Sequence, residues 1–470
     1  MHHCTKISRI LCVFFILLLW ANFSPSPLFA DTPETEIAEN EELTEEQPTE
    51  YGRNFPMALT QGFISNLFVW SWNYLGQQPH ARISPNSWKR NIETGTEWDR
   101  SDFFTNQILH SYEGSPYYTA ARSYGFTYWE SLLFTAFGSF QWEFFFERDI
   151  PSSNDLIVTT MGGAAFGEAG YRLAIAFSNT DEGGARGFLR NFAALIINPT
   201  YMLNKAIFGD DFVKRNKLPW TPIDLRLRTG AAYVIDDDER FSGYPHAYFG
   251  CTINYGDPWN DQNLYGPYEL FNVKVDAEID LVNPSWDIFA DAILCGFKLF
   301  PGNRGRIILG LYQQFDYLEN LMTHKLAANG GGAGTQVYMP FMEKSSITLN
   351  AHFYGLAMAI VDSRATRWEF NRDVGFGDDS KGVGWSCKLG LLYNCGDYFI
   401  VSLTYHHYWI DAFHGSDKKN TVDIFMSNLE IPITEVTRFG LEARGYKRWS
   451  DIEINRSWSW SFKTYVSFKL

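Results

Sequence analysis

Residues 457–470 read SWSWSFKTYVSFKL, and large apolar side chains alternate in this stretch with small or charged ones. Because successive side chains of a β-strand point to opposite faces, the pattern predicts a strand with one apolar and one polar face. The stretch finishes on the aromatic-x-aliphatic triplet Phe468–Lys469–Leu470. We therefore expect this strand to close a sheet that has an apolar environment on one face and water on the other.

The same period of two recurs from Ile223 onward. Counting these segments gives about 12 strands, an even number as bacterial barrels prefer. The longer connections expected at one end of such a barrel are polar, at residues 236–243, 362–381 and 413–420. Two connections do not fit this rule, because residues 257–266 form a long one and residues 283–285 a short one.

A soluble barrel with its apolar face inward is the alternative to a membrane barrel. The segment at residues 271–281 distinguishes the two, because one of its faces carries Lys274, Asp276, Glu278 and Asp280. Those charges would be unfavourable in the apolar interior of a small soluble barrel, whereas they are favourable in a water-filled lumen. The sequence thus predicts an antiparallel transmembrane β-barrel of the bacterial outer-membrane type at residues 223–470.

The composition fits a barrel and excludes one class of partner. Aromatic residues make up 17% of the 470 residues, yet the mean hydropathy is only −0.22. Barrels combine these two properties because only every second residue of a strand faces lipid. The net charge of −15 disfavours nucleic acid, whose phosphates it would repel.

The start of the chain predicts export. An apolar run from Ile10 to Trp20 follows a basic segment, and small or apolar residues precede Asp31. The run has about eleven residues, too few for a membrane-spanning helix, which needs roughly 20. We expect a signal peptide at residues 1–30 and an acidic, disordered linker at residues 31–50.

Residues 51–215 predict a helical domain. Helix starts are indicated at Ser84–Pro85 and at residues 151–155, where proline and capping side chains stand together. Glycines at 162, 163, 167 and 170 favour close helix packing. The chain is therefore expected to be α+β, with an N-terminal helical domain followed by an antiparallel transmembrane β-barrel of about 12 strands.

Polar residues of the helical domain form the candidate site. We assign acid–base catalysis to His110, Glu143 and Asp155, because burial beside aromatic side chains raises a carboxyl pKa and a carboxylate fixes one imidazole tautomer. Asn106 lies one helical turn before His110, so the two side chains share a face. The other members of the expected polar cluster are Gln107, Arg122 and Glu168. The structural alternative is that these groups satisfy one another and pin helix ends, with Asp155 as a cap.

The sequence predicts no metal site and no cofactor. No Cys-x-x-Cys or Cys/His spacing typical of a metal centre occurs. His406 and His407 point to opposite faces of a strand, so they cannot hold one ion together. Cys387 and Cys395 share a face of one strand at a separation of about 27 Å, which excludes a disulfide between them.

The stretch from about residue 72 to residue 210 resembles a bacterial protein family. The resemblance lies in Ile83–Ser84–Pro85, Thr105–Asn106–Gln107 with His110, Ala120–Ala121–Arg122–Ser123, Trp142–Glu143, Asn154–Asp155, Gly167–Glu168 and Asn198–Pro199. The family is called "domain of unknown function 3943", and the resemblance implies an exported, outer-membrane-associated protein without an assigned chemistry. A fainter similarity to VanZ-like membrane proteins follows the order Asn-x-x-x-His, Glu, Asp, Gly-x-x-x-Gly. Here Asn106 replaces the acid expected before His110.

We expect an outer-membrane β-barrel protein with a structural or transport-type role. Its helical domain is expected to be periplasmic or to plug the lumen. The alternative function is that of an envelope enzyme that modifies lipid or peptidoglycan with His110 and Glu143. Expected partners are outer-membrane lipid, the machinery that assembles barrels and a small-molecule or lipid ligand, with no nucleic acid.

Overall fold

The chain folds into two compact units, a helical unit that ends at Trp220 and a β unit from Thr221 to Leu470. The predicted fold class is confirmed, because the helices come first and an antiparallel β-barrel follows. The computed structural model describes residues 53–98, 103–180, 182–235, 244–279, 285–299, 305–320, 324–342, 344–362, 379–415, 418–451 and 458–470. The predicted signal peptide and linker, and Asp280, lie outside the described residues.

Seven α-helices build the helical unit over its described residues. They are α1 (Phe55–Leu75), α2 (Pro85–Thr94), α3 (His110–Ser123), α4 (Tyr128–Gln141), α5 (Ser153–Ser178), α6 (Gly184–Ile197) and α7 (Pro199–Arg215). A 3-10 turn covers Pro79–Ala81, and π-helical segments cover Thr105–Leu109 and Trp142–Phe146. The predicted helix starts are confirmed, since the side chains of Ser84 and Ser152 cap α2 and α5.

Helices α3 and α5 touch backbone to backbone at two glycines. A Cβ atom on Gly114 would lie 2.1 Å from the backbone oxygen of Thr159 and 2.8 Å from the Cα of Gly163. A Cβ atom on Gly163 would lie 2.6 Å from the Cα of Gly114. The helices approach this closely only because neither residue has a side chain. The contact lies one turn after His110 on α3 and two turns after Asp155 on α5, so it brings those two side chains near each other.

The helical unit exposes large apolar side chains. Phe68, Trp72 and Leu75 are exposed on α1, and Trp129 and Leu133 are exposed on α4. None of the described helices has both the length and the hydropathy that crossing a bilayer requires.

Twelve long strands close into an antiparallel barrel, which confirms the predicted count. In chain order the strands are β1 (Ile223–Ile235), β2 (Tyr244–Tyr255), β3 (Leu264–Tyr265), β4 (Phe271–Ile279), β5 (Ser285–Leu299), β6 (Arg306–Asn320), β7 (His324–Met342), β8 (Ser345–Val361), β9 (Ser380–Cys395), β10 (Phe399–His414), β11 (Lys419–Pro432), β12 (Thr437–Ser450) and β13 (Ser459–Lys469). The two-residue β3 is not a barrel strand and pairs only with the end of β5. The ring closes where β13 pairs with β1, from Arg226–Lys469 to Ile235–Trp460. Closure leaves no unpaired strand edge in the ring.

The two connections that depart from the length rule are features of the barrel and not an error in the strand count. The connection at residues 256–270 is long because it contains β3, and its Trp259 packs against the buried apolar cluster of the barrel. Its Trp259 stacks on Tyr338 with ring centroids 5.0 Å apart. Tyr338 lies on the same face of β7 as Ala328, which pairs with the lumen-facing Asp316. The connection at residues 280–284 is short.

The two faces of the barrel differ as the alternation predicted. Many large apolar side chains on the outer face are exposed, among them Tyr233, Leu311, Leu349, Phe353, Leu389, Leu403, Phe413, Phe439, Leu441 and Phe462. On the inner face Asp276 and Glu278 are 0% and 3% exposed, which corrects the expectation that a watery lumen surrounds them. Side chains from facing strands fill the space that water was expected to occupy.

The smaller sequence predictions for the barrel also hold. The ring of His406 faces the lumen and lies 5.2 Å from that of Phe289, whereas His407 faces outward, with Nδ1 2.7 Å from Oδ1 of Asp423. The four cysteines of the barrel are free: Cys251, Cys295, Cys387 and Cys395.

We predict that Gly114→Ala destabilises the helical unit by about 1–3 kcal/mol, because the added methyl group forces α3 and α5 apart. Thermal unfolding of the full chain in detergent, followed by far-UV circular dichroism, measures this change. Gly62→Ala on α1 is the matched control, since a Cβ atom there meets nothing within 4 Å. That control is expected to be neutral or stabilising by up to about 1 kcal/mol. Equal effects of the two substitutions would contradict the close helix contact.

Candidate functional site

Three polar side chains from separate segments meet inside the helical unit. His110 opens α3, Glu143 lies in the π segment Trp142–Phe146, and Asp155 lies in the first turn of α5. One nitrogen or carboxylate oxygen from each lies within 4.8 Å of the other two. We call these residues the His110 cluster. The structure thus brings together the three residues to which the sequence assigned acid–base chemistry.

His110 and Asp155 lie beside each other, and neighbouring residues contact the remaining nitrogen of His110 and the remaining oxygen of Asp155. The Nε2 atom of His110 lies 3.5 Å from Oδ2 of Asp155. Its Nδ1 atom lies 3.4 Å from Oγ1 of Thr159 and 3.8 Å from Oε2 of Glu113. The other oxygen of Asp155, Oδ1, accepts a hydrogen bond of 2.9 Å from Nδ2 of Asn154. These contacts fix the orientation of both side chains.

The two π segments carry other residues of this region, and such segments occur often at functional sites. The first contains Asn106 and Gln107, both buried, and Oδ1 of Asn106 accepts a hydrogen bond of 2.5 Å from Nδ2 of Asn154. The second contains Glu143, whose Oε2 atom accepts a hydrogen bond of 2.7 Å from the backbone N–H of Ser152. Its Oε1 atom is buried and has no hydrogen-bond partner within the part of the chain that the structure describes.

Carboxyl groups crowd the His110 cluster. Burial raises the pKa of Glu113 and holds the pKa of Glu143 well above its usual range, and the nearby Asp155 raises the latter further. Burial also raises the pKa of Glu147 from 4.5 to about 8, an effect that His110 opposes. These carboxyl groups therefore either keep their protons at neutral pH or are stabilised in their charged form by a bound cation.

A second buried cluster lies further along α3 and α5. The carboxylate of Glu168 accepts hydrogen bonds of 2.8 Å from Nε of Arg122, 2.8 Å from Nε of Arg172 and 2.9 Å from the hydroxyl of Tyr118. Burial acts to raise the pKa of Glu168, but the two guanidinium groups outweigh it and hold that pKa below its usual value. A carboxylate this well paired is a structural anchor between two helices.

The single polar cluster expected from the sequence is therefore two clusters. Arg122 and Glu168 bind each other and take no part in the His110 cluster. The reason is the helical rise of about 1.5 Å per residue, which places Glu168 roughly 20 Å along α5 from Asp155. Sequence reasoning also missed Glu113, although its position one turn after His110 placed it on the same helical face.

The barrel lumen contains a network of ionised side chains. Over the described residues it joins four cationic groups (Arg228, Lys274, Arg444, Lys463) to four anionic groups (Asp276, Glu278, Asp287, Glu442). Asp276 is its centre, with Arg444 Nη2 at 2.7 Å, Arg228 Nη2 at 3.0 Å and Lys463 Nζ at 3.5 Å. Because the opposite charges are equal in number, the burial of each is compensated by its neighbours.

Side chains from nearly opposite walls meet across the lumen. Arg444 on β12 pairs with Asp287 on β5, five strand positions away around the ring of twelve. Phe289 on β5 lies 5.2 Å from the ring of His406 on β10, again five positions away. The guanidinium of Arg444 also lies 5.7 Å from the ring centre of Phe289. These contacts bridge the lumen near its middle.

A second set of lumen contacts centres on Lys388. Its Nζ atom lies 2.9 Å from Oδ1 of Asp291 and 2.9 Å from Oδ1 of Asp316. The hydroxyl of Tyr408 donates a 2.7 Å hydrogen bond to Asp316, and that of Tyr354 donates one of 2.7 Å to Asp291. These five residues come from five different strands, so the contacts tie much of the wall together.

A closed antiparallel barrel with an apolar outer face and a buried polar interior is a β-barrel of the outer-membrane type. Residues 95–200, in the helical unit, match the family model "Domain of unknown function (DUF3943)". The resemblance drawn from the sequence is therefore confirmed over that stretch, which is less than a quarter of the chain. No curated protein sequence matches the chain.

Solved structures with similar barrels include the NanC porin, with 11% identity and a TM-score of 0.28. An outer membrane channel from Pseudomonas putida has 10% identity and a TM-score of 0.28. The outer membrane channel DcaP of Acinetobacter baumannii has 8% identity and a TM-score of 0.26. The alignments cover 52%, 54% and 53% of this chain and 100%, 97% and 97% of the three solved chains. These scores are too low to carry an argument, so the architecture rests on the strand pairing above.

We predict that the helical unit loses stability as the pH rises from about 5 to 8 in the presence of a metal chelator. An unfolded chain loses the Glu147 proton near pH 4.5, whereas the folded chain keeps it until about pH 8, so rising pH favours unfolding. Glu147→Gln removes this contribution. The free energy of unfolding of the variant minus that of the natural chain is expected to be larger at pH 9 than at pH 5. The increase is on the order of 2 kcal/mol. Thermal unfolding at both pH values tests this, and a pH-independent difference would exclude a raised pKa for Glu147.

Proposed function

We propose that the protein is a bacterial outer-membrane β-barrel protein that is exported by its signal peptide and held closed by side chains in its lumen. The exposed apolar residues of the outer face support the membrane location, because a water-facing surface of that composition would aggregate. Lipid of the outer membrane is then the partner of this face, and the barrel assembly machinery is the partner that inserts it.

The cross-lumen contacts carry the functional part of this proposal. A pore for free diffusion needs a continuous water path, yet Arg444 reaches Asp287 and Phe289 reaches His406 across the barrel. The connection at residues 256–270 also packs Trp259 on Tyr338 and on the buried apolar cluster of the barrel. The barrel therefore serves as a structural anchor or as a transporter that conducts only after these contacts open.

The second candidate function is that of an envelope enzyme that acts on lipid or peptidoglycan. The observation that favours it is the His110 cluster, in which Glu143 has a buried oxygen without a described partner and lies beside an imidazole. Loss of substrate turnover in Glu143→Gln, with the fold retained, is the result this candidate requires.

We predict that the mature chain begins at Asp31 and fractionates with the outer membrane. The folded barrel is expected to shift its gel mobility on boiling, because closed barrels resist detergent until heated. Mass spectrometry of the purified protein measures its N-terminus, and protease added to whole cells is expected to cut at residues 362–381. A freely soluble protein whose mobility does not change on boiling would contradict the membrane assignment.

We predict that the natural chain in planar bilayers gives no sustained porin-like conductance. Arg444→Ala is expected to raise the conductance and favour cations, because it breaks the bridge and leaves Asp276 and Asp287 facing the lumen. Arg438→Ala is the matched control on the same strand. Arg438 pairs at 2.9 Å with Glu430 of the neighbouring strand, so its loss opens no cross-lumen contact.

Steady conductance of the natural chain would refute the closed lumen. Equal conductance of the two arginine variants would show that the Arg444 bridge does not hold the barrel closed. The heat-dependent gel shift confirms in each case that the variant has folded.

A further inference from the structure

The unpartnered oxygen of Glu143 points to a ligand that the sequence pattern did not indicate. Glu143 is 2% exposed, and its Oε1 atom lacks a hydrogen-bond partner among the described residues. A buried carboxylate oxygen without a partner is unfavourable, because it loses water and gains nothing in exchange. The same side chain belongs to the His110 cluster, in which ligand atoms of three residues lie within 4.8 Å of one another.

We propose that His110, Glu143 and Asp155 bind a divalent transition-metal cation such as Zn²⁺ through Nε2, Oε1 and Oδ2. Ligands of a tetrahedral zinc ion lie about 2.0–2.2 Å from the metal and hence about 3.4 Å from each other. The Nε2 atom of His110 and the Oδ2 atom of Asp155 are 3.5 Å apart, which matches that spacing. A carboxylate oxygen of Glu143 lies within 4.8 Å of the other two ligand atoms, so Glu143 is the third ligand.

The remaining atoms of the three side chains are arranged as supporting contacts around a metal site usually are. The other imidazole nitrogen of His110 lies 3.4 Å from Oγ1 of Thr159 and 3.8 Å from the carboxylate of Glu113. The hydroxyl of Thr159 is within hydrogen-bond distance of this nitrogen and can orient the imidazole, whereas Glu113 at 3.8 Å acts on it only as a nearby carboxylate.

The two carboxylates are held in the same way. The Oδ1 atom of Asp155 accepts a hydrogen bond from Asn154, and Oε2 of Glu143 accepts one from the backbone N–H of Ser152. The Oδ2 atom of Asp155 lies 3.5 Å from Nε2 of His110, and Oε1 of Glu143 has no hydrogen-bond partner among the described residues.

The donor set selects the kind of ion. One imidazole nitrogen and two carboxylate oxygens suit Zn²⁺, Mn²⁺ or Fe²⁺, whereas Ca²⁺ takes six to eight oxygen ligands and Mg²⁺ keeps several waters. Three protein ligands also leave a fourth position for water. The side chain of His110 keeps 12% of its surface exposed and that of Glu113 keeps 16%, so one edge of the cluster reaches solvent.

Titration of Zn²⁺ into the full chain tests this inference. The protein is purified in detergent, stripped with a chelator and titrated by calorimetry, and Co²⁺ is used separately as a spectroscopic probe. We expect one tight Zn²⁺ per chain and visible absorption from bound Co²⁺ that Zn²⁺ displaces. Excess Mg²⁺ is expected not to compete.

Three variants separate the proposed site from binding elsewhere. Glu143→Gln keeps the size of the side chain and is expected to weaken Zn²⁺ binding at least tenfold, as is His110→Ala. Glu93→Gln removes an exposed carboxylate on α2 and is expected to bind like the natural chain. Far-UV circular dichroism checks the fold, and Glu143→Gln decides the outcome if His110→Ala does not fold.

The proposal is overturned if the natural chain binds no Zn²⁺ tightly, or if Glu143→Gln binds it as well as the natural chain does. Neither result bears on the barrel, whose conductance and gel mobility are measured independently. The inference therefore stands or falls separately from the proposed membrane function.

Discussion

The hydrogen-bonded pairing of β13 with β1 is the constraint on which the β unit depends. It runs from Arg226–Lys469 to Ile235–Trp460 and joins the two ends of the sheet. Once the sheet is closed, every side chain belongs either to the inside or to the outside, and a register slip of one residue would exchange the two sets. Because the outer set is apolar and the inner set carries the buried charges, a slip of one residue is unfavourable.

Closure also explains how so many charges remain buried. A lone buried carboxylate is strongly unfavourable, but inside a closed wall Asp276 has Arg228, Arg444 and Lys463 within 3.5 Å. Lys274 lies on the strand of Asp276, but these three cations lie on β1, β12 and β13, and those on β12 and β13 reach Asp276 only once β13 has paired with β1. The ion pairs consequently connect strands on opposite sides of the barrel, and the same side chains fill the lumen.

The helical unit depends on a different constraint, the backbone contact between Gly114 and Gly163. This contact sets the spacing of α3 and α5, so His110 and Asp155 meet near one end of the pair. Near the other end Arg122 meets Glu168 at 2.8 Å. The π segment around Glu143 then adds a third side chain to the first site but not to the second. The first site thus has an excess of carboxyl groups, while the second is a paired structural contact.

Much of the fold could be predicted because its signals are local. The alternation of Trp460, Phe462, Val466 and Phe468 identifies a strand with two unlike faces from the chain alone, since a strand has a period of two. The helix starts at Ser84 and Ser152 were equally readable, because a cap acts within its own turn. The count of about 12 strands followed from the same local patterns.

The contents of the lumen and the grouping of the polar residues were decided by the tertiary structure. Alternation shows that Lys274 and Asp276 face inward, but not whether water or another wall meets them there, because that depends on strands far away in sequence. In the same way, His110, Glu143 and Asp155 were each visible as polar residues in apolar surroundings. These three side chains meet, and Arg122 lies apart from them, because of the helix lengths and the contact of Gly163 with Gly114. The glycines of α5 indicated close packing, but no local pattern identified the helix that packs there.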